Sequence, residues 1–115
     1  MEEAILNAPT VFEYTRGLVE ALSKVEGELQ RQELLNRIAL QIDLMASSHE
    51  VVTHFKGKNY GLITMGYDSK DGSPIVIYCA LYDDQKVWAR PLEEFFNYAN
   101  DAAKQQIVKR FYQED

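Results

Sequence analysis

Residues 78–96 read YCALYDDQKVWARPLEEFF, and this stretch decides how the middle of the chain folds. An apolar run enters an Asp-Asp turn, a short second strand follows, and Pro91 then suits the first position of a helix. Because side chains alternate along a strand, the hairpin has two distinct faces. We expect one face in the core, made of Cys79, Leu81, Val87 and Ala89. The opposite face then carries Tyr78, Tyr82, Trp88 and Arg90.

The flanking segments complete an α+β pattern. Apolar residues recur at helical spacing on both sides of Gly27, which predicts a helical hairpin over residues 10–46 that Pro9-Thr10 begins. A single helix running through Gly27, at a cost of about 1 kcal/mol, is the alternative. Residues 50–90 then show strand periodicity broken by turns, which predicts an antiparallel sheet. Residues 91–113 are predicted as C-terminal helices, the last one capped by Asn100-Asp101 and burying Ile107, Val108 and Phe111.

Length and charge limit the classes of function. The chain has 115 residues, which suits a single domain over residues 1–115, and its net charge is −6. Eight acidic and four basic side chains fall in residues 1–49, so this part carries −4. The acidic balance disfavours direct nucleic-acid binding. No run reaches the roughly 18–20 apolar residues of a membrane span, the N-terminus MEEAILNAP is too acidic for a secretory signal, and the single cysteine suits the cytoplasm.

Catalytic and metal-binding patterns are weak. His49 and His54 with Cys79 are too few ligands for a structural zinc site. His54 and Cys79 are formally a base and a nucleophile, but a thiol within an apolar strand is usually an inert core residue. The acidic pairs 83–84 and 93–94 fit turn and helix-start chemistry. We therefore predict no catalytic residue, no metal and no cofactor, and an enzyme is the less favoured interpretation.

Three motifs occur in order between residues 50 and 98: His54-Phe55-Lys56-Gly57-x-x-Tyr60, Tyr78-x-Ala80-Leu81-Tyr82 and Trp88-x-Arg90-Pro91-x-x-x-Phe95. Together they resemble a family of small bacterial and phage domains of unknown function. The resemblance covers under half of the chain and leaves out the N-terminal helices and the last predicted helix. It implies a compact, strongly bent antiparallel sheet or a barrel-like meander. It implies no activity.

The aromatic face of the hairpin is the main candidate site. Tyr78, Tyr82 and Trp88 beside Arg90 would form a shelf for a planar ring, with the guanidinium pairing an anionic group. The predicted site is therefore a non-catalytic pocket for a small anionic or nucleotide-like ligand or a peptide, formed by Tyr78, Tyr82, Trp88, Arg90, His54 and Lys56. Alternatively, Trp88 packs beneath the helices and Arg90 is tied to Asp83, Asp84 or Glu94. Phe95 and Phe96 are expected in the core.

The acidic helices support a different hypothesis. A compact acidic protein of phage type could act as an inhibitor by using its acidic helical surface to block a basic groove on a host defence or nucleic-acid enzyme. The residues predicted to bind such a partner are Glu20, Glu26, Glu28 and Glu33. A homodimer formed through the apolar stripes of the helices is a further alternative.

Overall fold

Two helices open the computed structural model, which describes residues 10–113: α1 spans Val11–Leu22 and α2 spans Glu28–Ser47. Thr10 caps α1, because its hydroxyl accepts a hydrogen bond from the Glu13 amide at 3.1 Å. Gly27 is the N-cap of α2, so the helical hairpin turns at the glycine where the sequence predicted its turn. No helix within residues 10–113 is both long and apolar enough to cross a bilayer. The predicted N-terminal helices are confirmed, whereas Pro9 and the acidic N-terminal segment lie outside the described residues.

An antiparallel sheet follows α2. The strands after α2 are β1 Val51–His54, β2 Asn59–Tyr67, β3 Pro74–Ala80, β4 Val87–Pro91, β5 Tyr98–Asp101, β6 Gln106–Lys109 and β7 Phe111–Tyr112. Strands β1 to β4 form a meander, and β7 returns to pair with β1, which gives the order β4-β3-β2-β1-β7. A short helix, α3 (Leu92–Phe96), follows β4, and β5 and β6 pair in a separate hairpin.

The three helices cover one face of this sheet, which we call the inner face. Leucine, isoleucine and methionine side chains of α2 meet Leu62 and Val76 of the sheet, while Phe12 of α1 stacks on Phe96 of α3 with ring centres 4.8 Å apart. Burial of this apolar surface is the main stabilising contribution to such a core. The core takes side chains from every helix and from four strands: Phe12, Val19, Leu22, Leu35, Ile38, Ile42, Met45, Val52, Leu62, Val76, Tyr78, Leu92, Phe95, Phe96 and Phe111.

The sheet curls around its inner face without closing. Four steps of about 4.8 Å between neighbouring strands would place β4 and β7 about 19 Å apart in a flat sheet. The guanidinium carbon of Arg90 on β4 nevertheless lies 5.9 Å from the centre of the Phe111 ring on β7. A register shift between Leu62 and Thr64 marks an irregularity in β2 that favours bending. The α+β class and the antiparallel sheet are confirmed, but β4 and β7 stay unpaired, so the sheet is not a closed barrel.

The predicted C-terminal helices are only partly present. Within the described residues after position 91, α3 is the one helix, and the predicted last helix is replaced by β5, β6 and β7. Asp101 lies at the end of β5, where its carboxylate accepts a hydrogen bond from the Lys104 amide in the hairpin turn. Phe111 is buried as expected, but Ile107 is 69% exposed. The end of the chain is a strand rather than a helix because it pairs with β1, which is distant in sequence. The Phe55 amide, for example, donates a hydrogen bond to the Arg110 carbonyl at 2.9 Å.

The two faces of the β3–β4 hairpin are also the reverse of the prediction. Tyr78 is 4% exposed on the inner face, whereas Val87 is 62% exposed on the outer one. Leu81 and Ala89 are exposed as well, and Cys79 is half-buried. The predicted core set Cys79, Leu81, Val87 and Ala89 is therefore wrong. β3 is apolar on both faces, so alternation alone did not show which face the helices cover.

A buried arginine joins α1 to the end of the chain. Arg16 donates hydrogen bonds to the carbonyl oxygens of Phe96 and Phe111, the second at 2.6 Å, and its charge is paired with Glu13 at 3.0 Å. Lys109 of β6 also reaches Glu13 at 3.0 Å. Burial raises the pKa of Glu13, but the hydrogen bonds and charges of Arg16 and Lys109 outweigh it, so the pKa is lowered.

Candidate functional site

The site begins with a tight turn between β1 and β2. Gly57 adopts φ = 99°, a conformation that side chains disfavour, and its amide donates to the His54 carbonyl at 2.7 Å. The His54 amide in turn donates to the Lys58 carbonyl at 2.8 Å. The turn leaves Lys56 and Lys58 exposed on either side of the glycine. Two positive charges are thus presented at one end of the sheet.

His54 connects this turn to an aromatic cluster on the inner face. Its Nδ1 accepts a hydrogen bond from the Lys56 amide at 3.1 Å, which fixes the orientation of the ring. The imidazole centre lies 4.5 Å from the ring of Phe55, 5.0 Å from that of Phe111 and 6.5 Å from that of Tyr60. The histidine therefore occupies the boundary between packed rings and the solvent-exposed turn.

Several positive charges surround this histidine. Partial burial is the largest cause that lowers the pKa of His54, and the charges of Arg90, Arg110 and Lys56 lower it further, to about 4. These three cations come from β4, from the residue before β7 and from the β1–β2 turn. His54 is consequently neutral near pH 7, and the positive potential at this end of the sheet comes from the arginines and lysines.

Two tyrosines form the next part of the cluster. The hydroxyl oxygens of Tyr60 and Tyr82 lie 2.5 Å apart, and their rings meet edge to face with centres 5.5 Å apart. Burial, followed by this hydrogen bond and the neighbouring tyrosines, raises the pKa of Tyr60 to about 12. The Lys58 ammonium lies 4.9 Å from the centre of the Tyr82 ring, within cation–π range. Tyr82 is only half-buried, so part of its ring faces solvent.

Arg90 lies on the inner face of the edge strand β4, and two of its nitrogen atoms have hydrogen-bond partners. Its Nε donates to the Tyr78 hydroxyl at 3.2 Å, and its Nη1 pairs with the Glu94 carboxylate at 2.8 Å. Asp83, Asp84 and Glu94 were the predicted ion-pair partners of Arg90. Among the described residues, Arg90 forms this ion pair with Glu94. Nη2 has no hydrogen-bond partner within residues 10–113, and about a quarter of the side chain is exposed. One nitrogen of the guanidinium, Nη2, can therefore donate a hydrogen bond to a further acceptor.

Tyr78 and Trp88 share a face but have different environments. They are directly opposite in the β3–β4 pairing, yet Tyr78 is buried beneath the rings of Phe95 and Tyr60, with centres 5.0 and 5.4 Å away. Trp88 is 48% exposed because β4 is an edge strand, so it does not pack beneath the helices. Tyr78 therefore supports Arg90 from within the core, while the indole of Trp88 is accessible. Phe95 and Phe96 are both core residues, as expected.

We call the exposed and half-exposed residues in and around this cluster the basic–aromatic surface. It begins at the β1–β2 turn of the concave sheet, and β4 extends it away from that turn through Trp88 and then Arg90, which lie on the same face. Its members are His54, Lys56, Lys58, Tyr82, Trp88, Arg90 and Arg110.

A family model described as a protein of unknown function (DUF1653) matches residues 50–113, more than half of the chain. The chain belongs to the DUF1653 family. A crystal structure of a DUF1653 protein from Bordetella bronchiseptica is also similar, with a TM-score of 0.49 and 21% identity over 56% of this chain and 83% of that chain. The search of curated proteins gave no match. The resemblance to a small domain of unknown function is thereby confirmed, while the three-motif pattern itself stays an interpretation.

The DUF1653 domain contains the complete basic–aromatic surface, whereas α1 and α2 precede it. Sequence reasoning included five of its members and missed Lys58 and Arg110. Lys58 is two residues from Lys56 in a turn, so a charge count over the turn would have found it. Arg110 is brought near His54 only by the return of β7 to β1, and nothing local in the sequence indicates that contact.

A cavity lies next to this surface, on the far side of the β1–β2 turn. It has a volume of about 490 Å³ and is open to solvent. Phe55 and Lys56 form one wall, and the turn of the β5–β6 hairpin, residues 100–104, forms the other. Its size lies within the range of small-molecule sites, although an open cavity of this kind buries a ligand only in part. The DUF1653 domain thus offers a concave region directly beside Lys56.

The predicted partner-binding glutamates lie outside the DUF1653 domain. Glu20, Glu26, Glu28 and Glu33 are all exposed. Glu28 and Glu33 both lie on α2 but are about 140° apart around the helix, since each residue turns it by about 100°. They therefore do not share one face of α2, and the inhibitory-surface hypothesis stays a prediction.

The candidate base and nucleophile are on opposite faces of the sheet. His54 belongs to the inner face, whereas Cys79 is opposite Gly61 and Val87 on the outer face. A Cβ placed on Gly61 would be 3.9 Å from the Cys79 sulfur, which confirms that the thiol is on that side. Within residues 10–113 there is also no group of three or more side chains arranged to hold a metal ion.

Proposed function

We propose that this protein is a non-catalytic binding module whose basic–aromatic surface holds a small anionic ligand with a planar ring, such as a nucleotide. The observation that carries the proposal is the convergence of cations from three separate parts of the chain around His54. Lys56, Arg90 and Arg110 are far apart in sequence and meet only in the folded protein. Cations grouped in this way create a local positive potential that attracts anions, even in a chain with a net charge of −6.

The partial engagement of Arg90 supports an oxyanion as the bound group. Tyr78 and Glu94 hold the guanidinium in one orientation, so little side-chain entropy would be lost when an anion binds. Nη2 is then available for a carboxylate or phosphate oxygen, a geometry in which arginine forms strong, directional hydrogen bonds. Lys56 and Lys58 would add charge without fixed geometry. The guanidinium thus provides orientation and the lysines provide attraction.

The accessible rings support a planar component in the ligand. Trp88 and Tyr82 each expose part of a ring near Arg90 and Lys58. Stacking of a base on an aromatic side chain contributes about 1–3 kcal/mol, which suffices to favour a nucleotide over free phosphate. A peptide that carries an aromatic side chain and a carboxylate offers the same two groups.

Charge reversal on the β1–β2 turn tests this proposal. We expect Lys56→Glu combined with Lys58→Glu to weaken the binding of nucleoside monophosphates, detected by thermal shift and chemical-shift perturbation, at least tenfold. The matched control is Lys70→Glu, an exposed lysine in the distant β2–β3 turn, which should leave binding unchanged. Binding should also weaken as salt is raised, because exposed charges are screened.

Three outcomes are informative. Loss of binding in the double variant with an unchanged melting temperature supports the basic–aromatic surface. Binding of short acidic peptides at the same residues, without nucleotide binding, would replace the nucleotide by a peptide as the ligand. Perturbed signals confined to α1 and α2, or no response to any anion at millimolar concentration, would contradict the proposal.

A further inference from the structure

The long helix α2 is apolar on two opposite sides. Its buried side packs on the sheet and consists of Leu35, Ile38, Ile42 and Met45. With about 100° of rotation per residue, a second stripe lies about 180° away and faces solvent. This stripe contains Leu29, Leu40 and Leu44, which are 79%, 56% and 51% exposed. A surface helix normally carries polar residues on that side, so the exposed leucines need an explanation.

A negative and a positive side chain beside this stripe could each pair with the opposite charge on a second copy of the helix. Glu33 and Arg37, one turn apart, lie on the same side of the line that joins Leu29 to Leu40, and within residues 10–113 neither takes part in an ion pair. Two copies of a helix related by a two-fold axis place the same flank of each copy side by side in antiparallel direction. Each copy therefore presents a negative charge that can meet the positive charge of the other.

One alignment satisfies the leucines and the charges together. If the two-fold axis passes near residues 34 and 35, Leu40 is opposite Leu29 of the second copy. In the same alignment Arg37 is within about one residue, or roughly 1.5 Å along the axis, of Glu33 of the second copy. A shallow hollow of about 300 Å³, lined by Glu33, Asn36, Arg37 and Leu40, lies beside this axis and can receive apolar side chains.

We propose that α2 is a homodimerisation surface, on which a second copy of this chain packs antiparallel through Leu29, Leu40 and the Glu33–Arg37 pairs. The interface leaves the basic–aromatic surface free. That surface lies on the part of the sheet's inner face that α2 does not cover, and the dimer contact is on the side of α2 that points away from the sheet. Each dimer thus carries two binding surfaces. The contact spans about three helical turns, which is at the small end of specific interfaces, so we expect a weak dimer.

A charge swap tests the alignment directly. Sedimentation velocity from about 1 to 500 µM should show a concentration-dependent dimer for the unmodified chain. Glu33→Arg and Arg37→Glu should each weaken it at least tenfold, because each puts like charges opposite one another. The double swap Glu33→Arg with Arg37→Glu should restore dimerisation. Glu20→Arg on α1 is the matched charge control and should leave the Kd unchanged.

Substitution of the stripe gives an independent measure. Leu40→Ser should abolish the dimer, whereas Leu81→Ser, which removes a comparably exposed leucine from the sheet, should not. Circular dichroism and the melting temperature at low concentration report whether each variant folds. A chain that stays monomeric up to 500 µM would overturn the proposal. So would a dimer that neither Leu40→Ser nor the single charge reversals weaken, or a double swap that folds but does not restore association.

Discussion

At the scale of single residues, Arg16 is the buried side chain with a full charge among residues 10–113. It is 3% exposed, and its guanidinium is held by two backbone carbonyls and by Glu13. A buried charge is tolerated only when such partners replace the lost water. Two of these partners lie more than 75 residues away in sequence, at Phe96 and Phe111. One side chain thus fixes how α1 sits on the DUF1653 domain.

Removing this side chain should be costly. We expect Arg16→Ala to lower the free energy of unfolding by about 3 kcal/mol, because it leaves two buried carbonyls without their donor and the Glu13 carboxylate with Lys109 as its remaining partner. Denaturant titration followed by circular dichroism measures the change. Lys24→Ala, an exposed cation between α1 and α2, is the control and should change stability by less than about 0.5 kcal/mol. Equal effects of the two substitutions would contradict the role given to Arg16.

His54 should make stability depend on pH. Its pKa in the folded protein is lowered to about 4, below the ordinary value of 6.5. As pH falls below about 6.5, the unfolded chain binds a proton that the folded chain does not bind until about pH 4, so stability is lost across this window. We expect His54→Phe to reduce the loss in that window, measured by unfolding at several pH values. The same substitution at exposed His49 controls for the change of side chain, and an unchanged slope in His54→Phe would contradict the assignment.

At the scale of elements, the sequence was informative where local patterns decide the structure. Gly27, the helical periodicity on either side of it and the turn residues of the meander predicted the helices and the first four strands. The last predicted helix failed because the segment AAKQQ favours a helix locally, whereas the return of β7 to β1 imposes strands. His54 and Tyr82 share an aromatic cluster with Tyr60, and Arg90 binds Tyr78 of that cluster, whereas a binding role for the predicted site residues stays a prediction. Tyr78 is buried, and the choice of face depended on packing that alternation does not reveal.

Two glycines in different elements should respond oppositely to the same substitution. Gly57 has φ = 99° in the β1–β2 turn, and a side chain there is strained even though the space is open. Gly17 lies within α1, with no atom within 4 Å of an added Cβ. We expect Gly57→Ala to cost about 1–2 kcal/mol and Gly17→Ala to stabilise by about 0.5–1 kcal/mol, measured by chemical denaturation. Stabilisation by Gly57→Ala would show that the turn differs from this description.

At the scale of the whole molecule, the helices and the DUF1653 domain share one hydrophobic core. Phe12 of α1 packs on Phe95 and Phe96, and the buried stripe of α2 covers Leu62 and Val76. The helices leave the end of the sheet near the β1–β2 turn open. The architecture therefore combines a covered half, which stabilises the fold, with an accessible half that carries the charges.

Removal of the helices should expose this core. We expect a chain restricted to residues 48–115 to lose the cooperative thermal transition of the full protein and to bind a hydrophobic dye, because Phe95, Phe96 and Phe111 lose their cover. Circular dichroism and dye fluorescence provide the measurements. A truncated chain that melts cooperatively at the temperature of the full protein would show that α1 and α2 contribute little to the core.

Trp88 allows the central claim to be tested in the unmodified protein. It is the only tryptophan in the chain, about half-exposed and two residues from Arg90, so its emission reports on anything that binds at the basic–aromatic surface. The most direct measurement is a titration of the full chain with adenosine and guanosine monophosphates, following Trp88 fluorescence at low and high salt. We predict saturable quenching that weakens as salt rises and is lost in the Lys56→Glu, Lys58→Glu variant. Emission that stays constant to millimolar nucleotide, or quenching that the charge reversal does not change, would contradict the account.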